Sequence, residues 1–170
     1  MERLSNNYEG LISKIYQELQ NVELTENEYL VIRYTELPSF PGGQFSVSVI
    51  ASTKENYLKI VKQSWDHEYD LKRFSSGIYN LERLRILKKQ FELLPLKQKE
   101  LTEIIDSINQ IPDVLNDESY IVLDGIDYQL TLNFKNINKE YQWRIPTKDI
   151  GFFEPLLTFL KATVSGDQAV

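Results

Sequence analysis

The densest run of reactive side chains in the sequence is Ser64-Trp65-Asp66-His67-Glu68-Tyr69-Asp70, which holds the one histidine, three carboxylates and one of two tryptophans. Read as the end of a strand, it puts Asp66, Glu68 and Asp70 on one face, an oxygen-rich set that suits Mg or Ca. A zinc site would use His67 with carboxylates, yet the further His or Cys ligands that such sites use do not exist here. His67 as a general base needs a nucleophile and an orienting carboxylate delivered by the fold. A small metal-dependent hydrolase centred on Asp66, His67 and Glu68 is the enzymatic alternative. The other reading is a binding rim. Trp65, with Phe40 and Tyr69 in or beside loops, supplies aromatic anchors of the kind that dominate interface energies, and acidic groups around them suit a cationic partner. The candidate binding residues are thus Phe40, Trp65, His67, Glu68 and Tyr69, with no catalytic residue, metal ligand or cofactor assigned.

Elsewhere the sequence carries no G-x-G-x-x-G, Walker A, H-E-x-x-H, EF-hand or G-x-S-x-G pattern. With no cysteine, disulfides, thiol catalysis and thiolate metal sites are excluded. The N-terminus lacks the apolar core of a signal peptide, and no apolar run approaches the ~18 residues of a membrane span. The expectation is a soluble, cytoplasmic protein that does not engage membranes. A net charge of -6 argues against nucleic acid, whose binding needs clustered cations. That charge is uneven: residues 1–71 carry -5, residues 72–100 carry +5 and residues 101–170 carry -6. A basic middle between acidic ends is either a partner patch or a solvated face.

The elements that must position these residues follow from periodicity, in a chain of 170 residues that fits one domain. Leu4, Tyr8, Leu11, Ile12, Ile15, Tyr16 and Leu19 form one helical stripe within residues 1–22, with Ser5 as a possible cap. Strands follow at 29–37, 45–51 and 57–65, rich in β-branched and aromatic residues. Residues 78–94 suit helix or strand, with strand favoured for 83–92. A helix over 95–111 starts at Pro95, buries Leu101, Ile104, Ile105 and Ile108, and stops before Pro112. Asp124-Gly125 between two alternating runs predicts a tight hairpin, with Leu123 facing Ile126 and Ile121 facing Tyr128. A second hairpin with the loop 136–139 pairs Phe134 with Tyr141, Leu132 with Trp143 and Leu130 with Ile145. Both put the large apolar side chains on one face and Gln129, Thr131, Asn133, Gln142 and Arg144 on the other. Pro146 stops that strand. A last helix over 150–165, ending near Gly166, presents Phe153, Leu156, Leu157, Leu160 and Val164. The fold class expected is α+β, an antiparallel β-meander with the N-terminal, central and C-terminal helices packed on one face.

The pattern Asp124-Gly125, Tyr128, Leu130, Tyr141-Gln142-Trp143 and Pro146, followed by an apolar helix, resembles the tail of small uncharacterised bacterial α+β families that include toxin-immunity proteins. The resemblance spans about 45 of the 170 residues and carries over no site residue. It adds to what net acidity and the missing enzyme motifs suggest, a non-catalytic binding protein with a protein partner, an immunity-type inhibitor of a toxin; the expected state is monomer or homodimer. A third expectation is a structural subunit that docks through its N-terminal helix.

Overall fold

The computed structural model describes residues 2–39, 42–54, 57–78, 80–108, 125–134, 137–144 and 151–165. In chain order these form α1 (Glu2–Gln20), β1 (Glu28–Pro38), β2 (Phe45–Ser52), β3 (Leu58–Trp65), α2 (His67–Ser75), a 3₁₀ turn (Leu81–Arg83), β4 (Ile86–Leu93), α3 (Pro95–Ile108), β5 (Ile126–Phe134), β6 (Ile137–Trp143) and α4 (Glu154–Ser165). The class is α+β, as the alternation implied, and the stretch 78–94 resolves into the short turn and a strand. Several parts of the sequence reading fall outside the described residues: Phe40, the helix end at Pro112, the Ile121–Asp124 half of the first hairpin, Asn136 of the second hairpin loop, Ile145 with Pro146, and Gly166.

All six strands pair antiparallel, in the order β4-β3-β2-β1-β5-β6. The expected simple meander is therefore corrected at one point. After α3 the chain returns to the far side of β1, and β5 runs beside it from Pro38 opposite Ile126 to Ile32 opposite Leu132. The second hairpin is also tighter than its sequence suggested. Phe134 lies opposite Ile137 and Tyr128 opposite Trp143, so two residues join the strands rather than the four of 136–139. Both registers keep the same faces, and the tighter one stacks Tyr128 on Trp143 with ring centroids 5.4 Å apart.

One face of the sheet carries Ile32, Tyr34, Val47, Val49, Ile60, Leu130, Leu132 and Tyr141, packed against Leu101, Ile105 and Ile108 of α3 and Leu156, Phe159, Leu160 and Val164 of α4. The central and C-terminal helices thus share a face, as expected. α1 does not join them. Leu11, Ile15 and Leu19 pack with Leu37 and Trp65, which point to the opposite side. Burying these aliphatic chains contributes about 1.5–3 kcal/mol each.

The physical reason lies in the small polar residues that alternate with valines in β2. Ser46, Ser48, Thr35 and Gln63 are all buried, and Ser46, Thr35 and Gln63 meet the end of α1. Ser46 Oγ donates to Leu19 O at 2.7 Å, and Gln63 Nε2 donates to Asn21 O at 3.0 Å and Glu18 O at 3.5 Å. These bonds satisfy carbonyls that the helix end leaves without intrahelical partners. Short serines also let the helix backbone approach the sheet.

At the start of β1, Glu28 is clamped. Its carboxylate accepts from Thr25 N at 3.0 Å and Tyr57 Oη at 2.8 Å and pairs with Lys59. The Lys59 hydrogen bond first, and the Thr25 N–H next, hold its pKa down to about 2. A carboxyl pKa lower in the folded chain than in the unfolded one stabilises fully above the unfolded value of ~4.3, and this stabilisation fades as pH falls toward 2. Glu28→Gln is therefore less stable than wild type at pH 6, and the gap closes between about pH 4.5 and 2. Urea unfolding of both proteins across that range is the check, and a gap that stays constant with pH would rule the clamp out.

Candidate functional site

The run that opened the sequence reading is a strand-to-helix junction. Trp65 ends β3, and Asp66 caps α2, its Oδ1 accepting from Tyr69 N at 3.2 Å. Asp66, Glu68 and Asp70 therefore stand on a helix start rather than alternating along a strand, and they diverge. Asp66 Oδ2 lies 3.4 Å from Arg85 Nε, Glu68 is exposed, and Asp70 turns fully inward. Among the described residues no three His, Asp or Glu side chains gather to hold a metal. The strand-face set of Asp66, Glu68 and Asp70 is not formed.

Asp70 is instead the centre of a buried polar knot. Its Oδ2 accepts from Trp65 Nε1 and from Arg85 N, each at 2.8 Å, and Arg73 Nη2 lies 3.0 Å from Oδ1. Arg73 also donates to the carbonyls of Asn80 and Arg83, tying α2 to the 3₁₀ turn. The expectation of Trp65 as an exposed anchor is overturned, for it is only 3% exposed. Its indole packs beneath α1 while its N–H meets the Asp70 carboxylate.

The other candidate residues separate. His67 is half-buried, 6.1 Å ring to ring from Trp65, and a Cβ at Gly42 would stand 3.1 Å from its Nε2. Glycine at position 42, with φ +107°, both permits that backbone and leaves room for the imidazole. Tyr69 is exposed and lies under the Arg85 guanidinium at 4.5 Å. Phe40 falls outside the described residues. Among the described residues, Tyr69 lines a cavity with Arg73 and Arg85 that Trp65, His67 and Glu68 do not line.

A second polar cluster links β1 to α4. Tyr34 Oη donates to Glu36, whose carboxylate pairs with Lys161. Burial, then the Glu36 hydrogen bond, pushes the Tyr34 hydroxyl pKa well up, and burial with Glu36 raises that of Tyr128. Both phenols stay protonated at neutral pH. Through Lys161 the cluster fixes α4 on the sheet.

The surface least explained by folding lies between α3 and α4. A groove of about 770 Å³ is lined on its apolar side by Leu94, Leu96, Ile104, Pro155, Phe159 and Ala162. Leu94 and Leu96 are 63% and 78% exposed, the two most exposed large hydrophobics among the described residues. Phe152, 55% exposed, follows the groove residue Gly151. Lys97, Glu100 and Glu154 supply mixed charge at the same groove, with Lys97 Nζ 2.8 Å from Glu100. No protein-family model matches the chain, and no curated protein matches it. Sequence reasoning missed this groove, although a signal was present. Leu94 and Leu96 flank Pro95 and fall outside the Leu101-Ile104-Ile105-Ile108 stripe, so α3 cannot bury them with its own apolar face. Among the described residues no helix is long and apolar enough to cross a membrane.

Proposed function

We propose that the chain is a non-catalytic binding protein whose partner is another protein, with an amphipathic helix of that partner seated between α3 and α4. The observation that carries this reading is the paired exposure of Leu94 and Leu96 at an apolar groove walled by two helices. Grooves of this form take the apolar stripe of a third helix, and covering each leucine is worth about 1.5–3 kcal/mol. The mixed rim of Lys97, Glu100 and Glu154 sets orientation rather than affinity. The net charge of -6 favours a cationic partner by long-range steering. Immunity-type inhibition of a toxin is the specific form of this reading, supported by the resemblance around Tyr128 and Tyr141-Gln142-Trp143.

The test compares wild type, the double variant Leu94→Asp/Leu96→Asp, and Leu24→Asp as a control at another exposed leucine. Affinity capture from the native host should recover one partner with wild type and the control. The double variant should lose it, with affinity for the purified partner at least about tenfold weaker. Equal recovery by all three rejects the groove as the seat. Light scattering on the purified proteins decides the remaining case, because a dimer abolished by the double variant makes the occupant a second copy.

A further inference from the structure

On the α1 side of the sheet the helix lies over β1, β2 and β3 and leaves part of β5 and β6 open. A cleft of about 290 Å³ opens there among Gln20, Arg33, Thr131, Asn133 and Glu140. It adjoins a larger groove of about 710 Å³ that passes the end of the sheet by Ile12, Leu37, Pro38, Tyr128 and Trp143. Tyr16, Gln129 and Gln142 line both, and Tyr16 Oη donates to Gln129 Oε1 at their junction. The two volumes fall in or near the range of small-molecule sites, which is roughly 300–1,000 Å³. The cleft is polar, whereas the groove sets apolar side chains beside Ser13, Ser39, Asp127 and Arg144, and the shared wall joins the two into an amphiphilic path.

Arg33 sets the chemistry of the polar end. It is half-buried, its Nη1 donates to Gln20 Oε1, and its Nε finds no acceptor among the described residues. No described carboxylate pairs with it, whereas most other arginines of the fold lie beside one: Arg73 by Asp70, Arg85 by Asp66 and Arg144 by Asp127. Burial lowers its pKa, a sign that the charge is held at a cost, while the nearby Tyr16 acts the other way. A half-buried guanidinium without a counter-ion is a receptor for one. One cation among amides and hydroxyls matches a single negative charge, and Glu140 in the same cleft disfavours a dianion.

We propose that this cleft binds a carboxylic acid with an apolar body, the carboxylate meeting Arg33 and Gln20 and the body running toward Ile12, Leu37 and Trp143. This site is separate from the α3–α4 groove and stands whether or not that groove takes a protein. Arg33 is legible only in retrospect, as a lone cation inside the apolar run Tyr29-Leu30-Val31-Ile32-Arg33-Tyr34.

The test is calorimetric titration of the full chain with decanoate below its micelle concentration, with decanol and acetate as separate probes. Decanoate should bind saturably at one site. Decanol, without the charge, and acetate, without the body, should each bind at least about tenfold more weakly. Arg33→Gln should weaken decanoate at least tenfold and leave decanol unchanged, whereas Arg33→Lys should fall between. Should Arg33→Gln fail to fold by circular dichroism, Ile12→Glu places a like charge in the path of the body and should abolish decanoate binding without touching Arg33. Three results each overturn the proposal: no saturable decanoate binding, equal binding of decanol and decanoate, or decanoate binding that survives in whichever of these variants folds.

Discussion

Replacing Asp70 by Ala lowers the unfolding free energy by about 3–5 kcal/mol. The carboxylate is fully buried, and its removal strands the Trp65 indole N–H and the Arg85 amide, both of which it accepts at 2.8 Å. Arg73, only 13% exposed at its side chain, loses its one described counter-ion. Each orphaned donor costs about 1–3 kcal/mol, more when the lost partner was charged. Asp70→Asn keeps one acceptor oxygen and loses the charge, so it should fall between wild type and alanine. Urea unfolding followed by tryptophan fluorescence reads both variants, with the midpoint falling and the slope unchanged. A loss below about 1 kcal/mol for Asp70→Ala would mean that water replaces the carboxylate, and the knot would not be structural. Because Asp70 holds Trp65, α2 and the strand entering β4 together, the same variant should also expose Tyr69 and Arg85 further without affecting the α3–α4 groove.

That outcome bears on how much of the molecule was legible beforehand. Periodicity located α3, α4 and the alternating faces of β5 and β6, because Leu101-Ile105-Ile108 and Leu130-Leu132 follow one period without interruption. The junction at Trp65 was misread because α2 has no apolar stripe to announce it. Its single buried residue is Asp70, and what starts the helix is a cap at Asp66. A nine-residue helix held by a buried ion pair leaves almost no hydrophobic signal. α1 was placed on the wrong face for the converse reason, since Ser46 and Gln63 look solvated in a sequence and are in fact donors to carbonyls at the end of the helix. The position of β5 beside β1 is a pairing between distant segments, which local patterns do not encode. The β5–β6 register was degenerate, for a slip that preserves parity preserves every face. Neither candidate cavity was legible, because each joins residues from elements far apart in sequence, Leu94 with Phe159 in one and Tyr16 with Gln142 in the other.

What chose the register also makes the second large prediction. Tyr34, Tyr128, Trp143 and Phe153 form a row of rings across β1, β5, β6 and the residue before α4, with centroids 6.4, 5.4 and 5.7 Å apart and interplanar angles of 12–14°. Tyr141 adds a tilted contact to Phe153 at 4.7 Å. Phe153 has no exposure, and it is the point where α4 begins. Phe153→Ala therefore removes buried apolar area and leaves a cavity that two stacked neighbours and the start of a helix cannot all close on. The expected loss is about 3–5 kcal/mol, against about 1 kcal/mol for Phe153→Leu, which keeps most of the volume. A double-mutant cycle with Trp143→Leu separates stacking from burial and should give a coupling of about 0.5–1.5 kcal/mol. Additive losses would assign the whole effect to burial. A small loss for Phe153→Ala would show that Leu156 and Leu160 suffice to hold α4, so that the ring row sets the strand register and contributes little to the attachment of the helix.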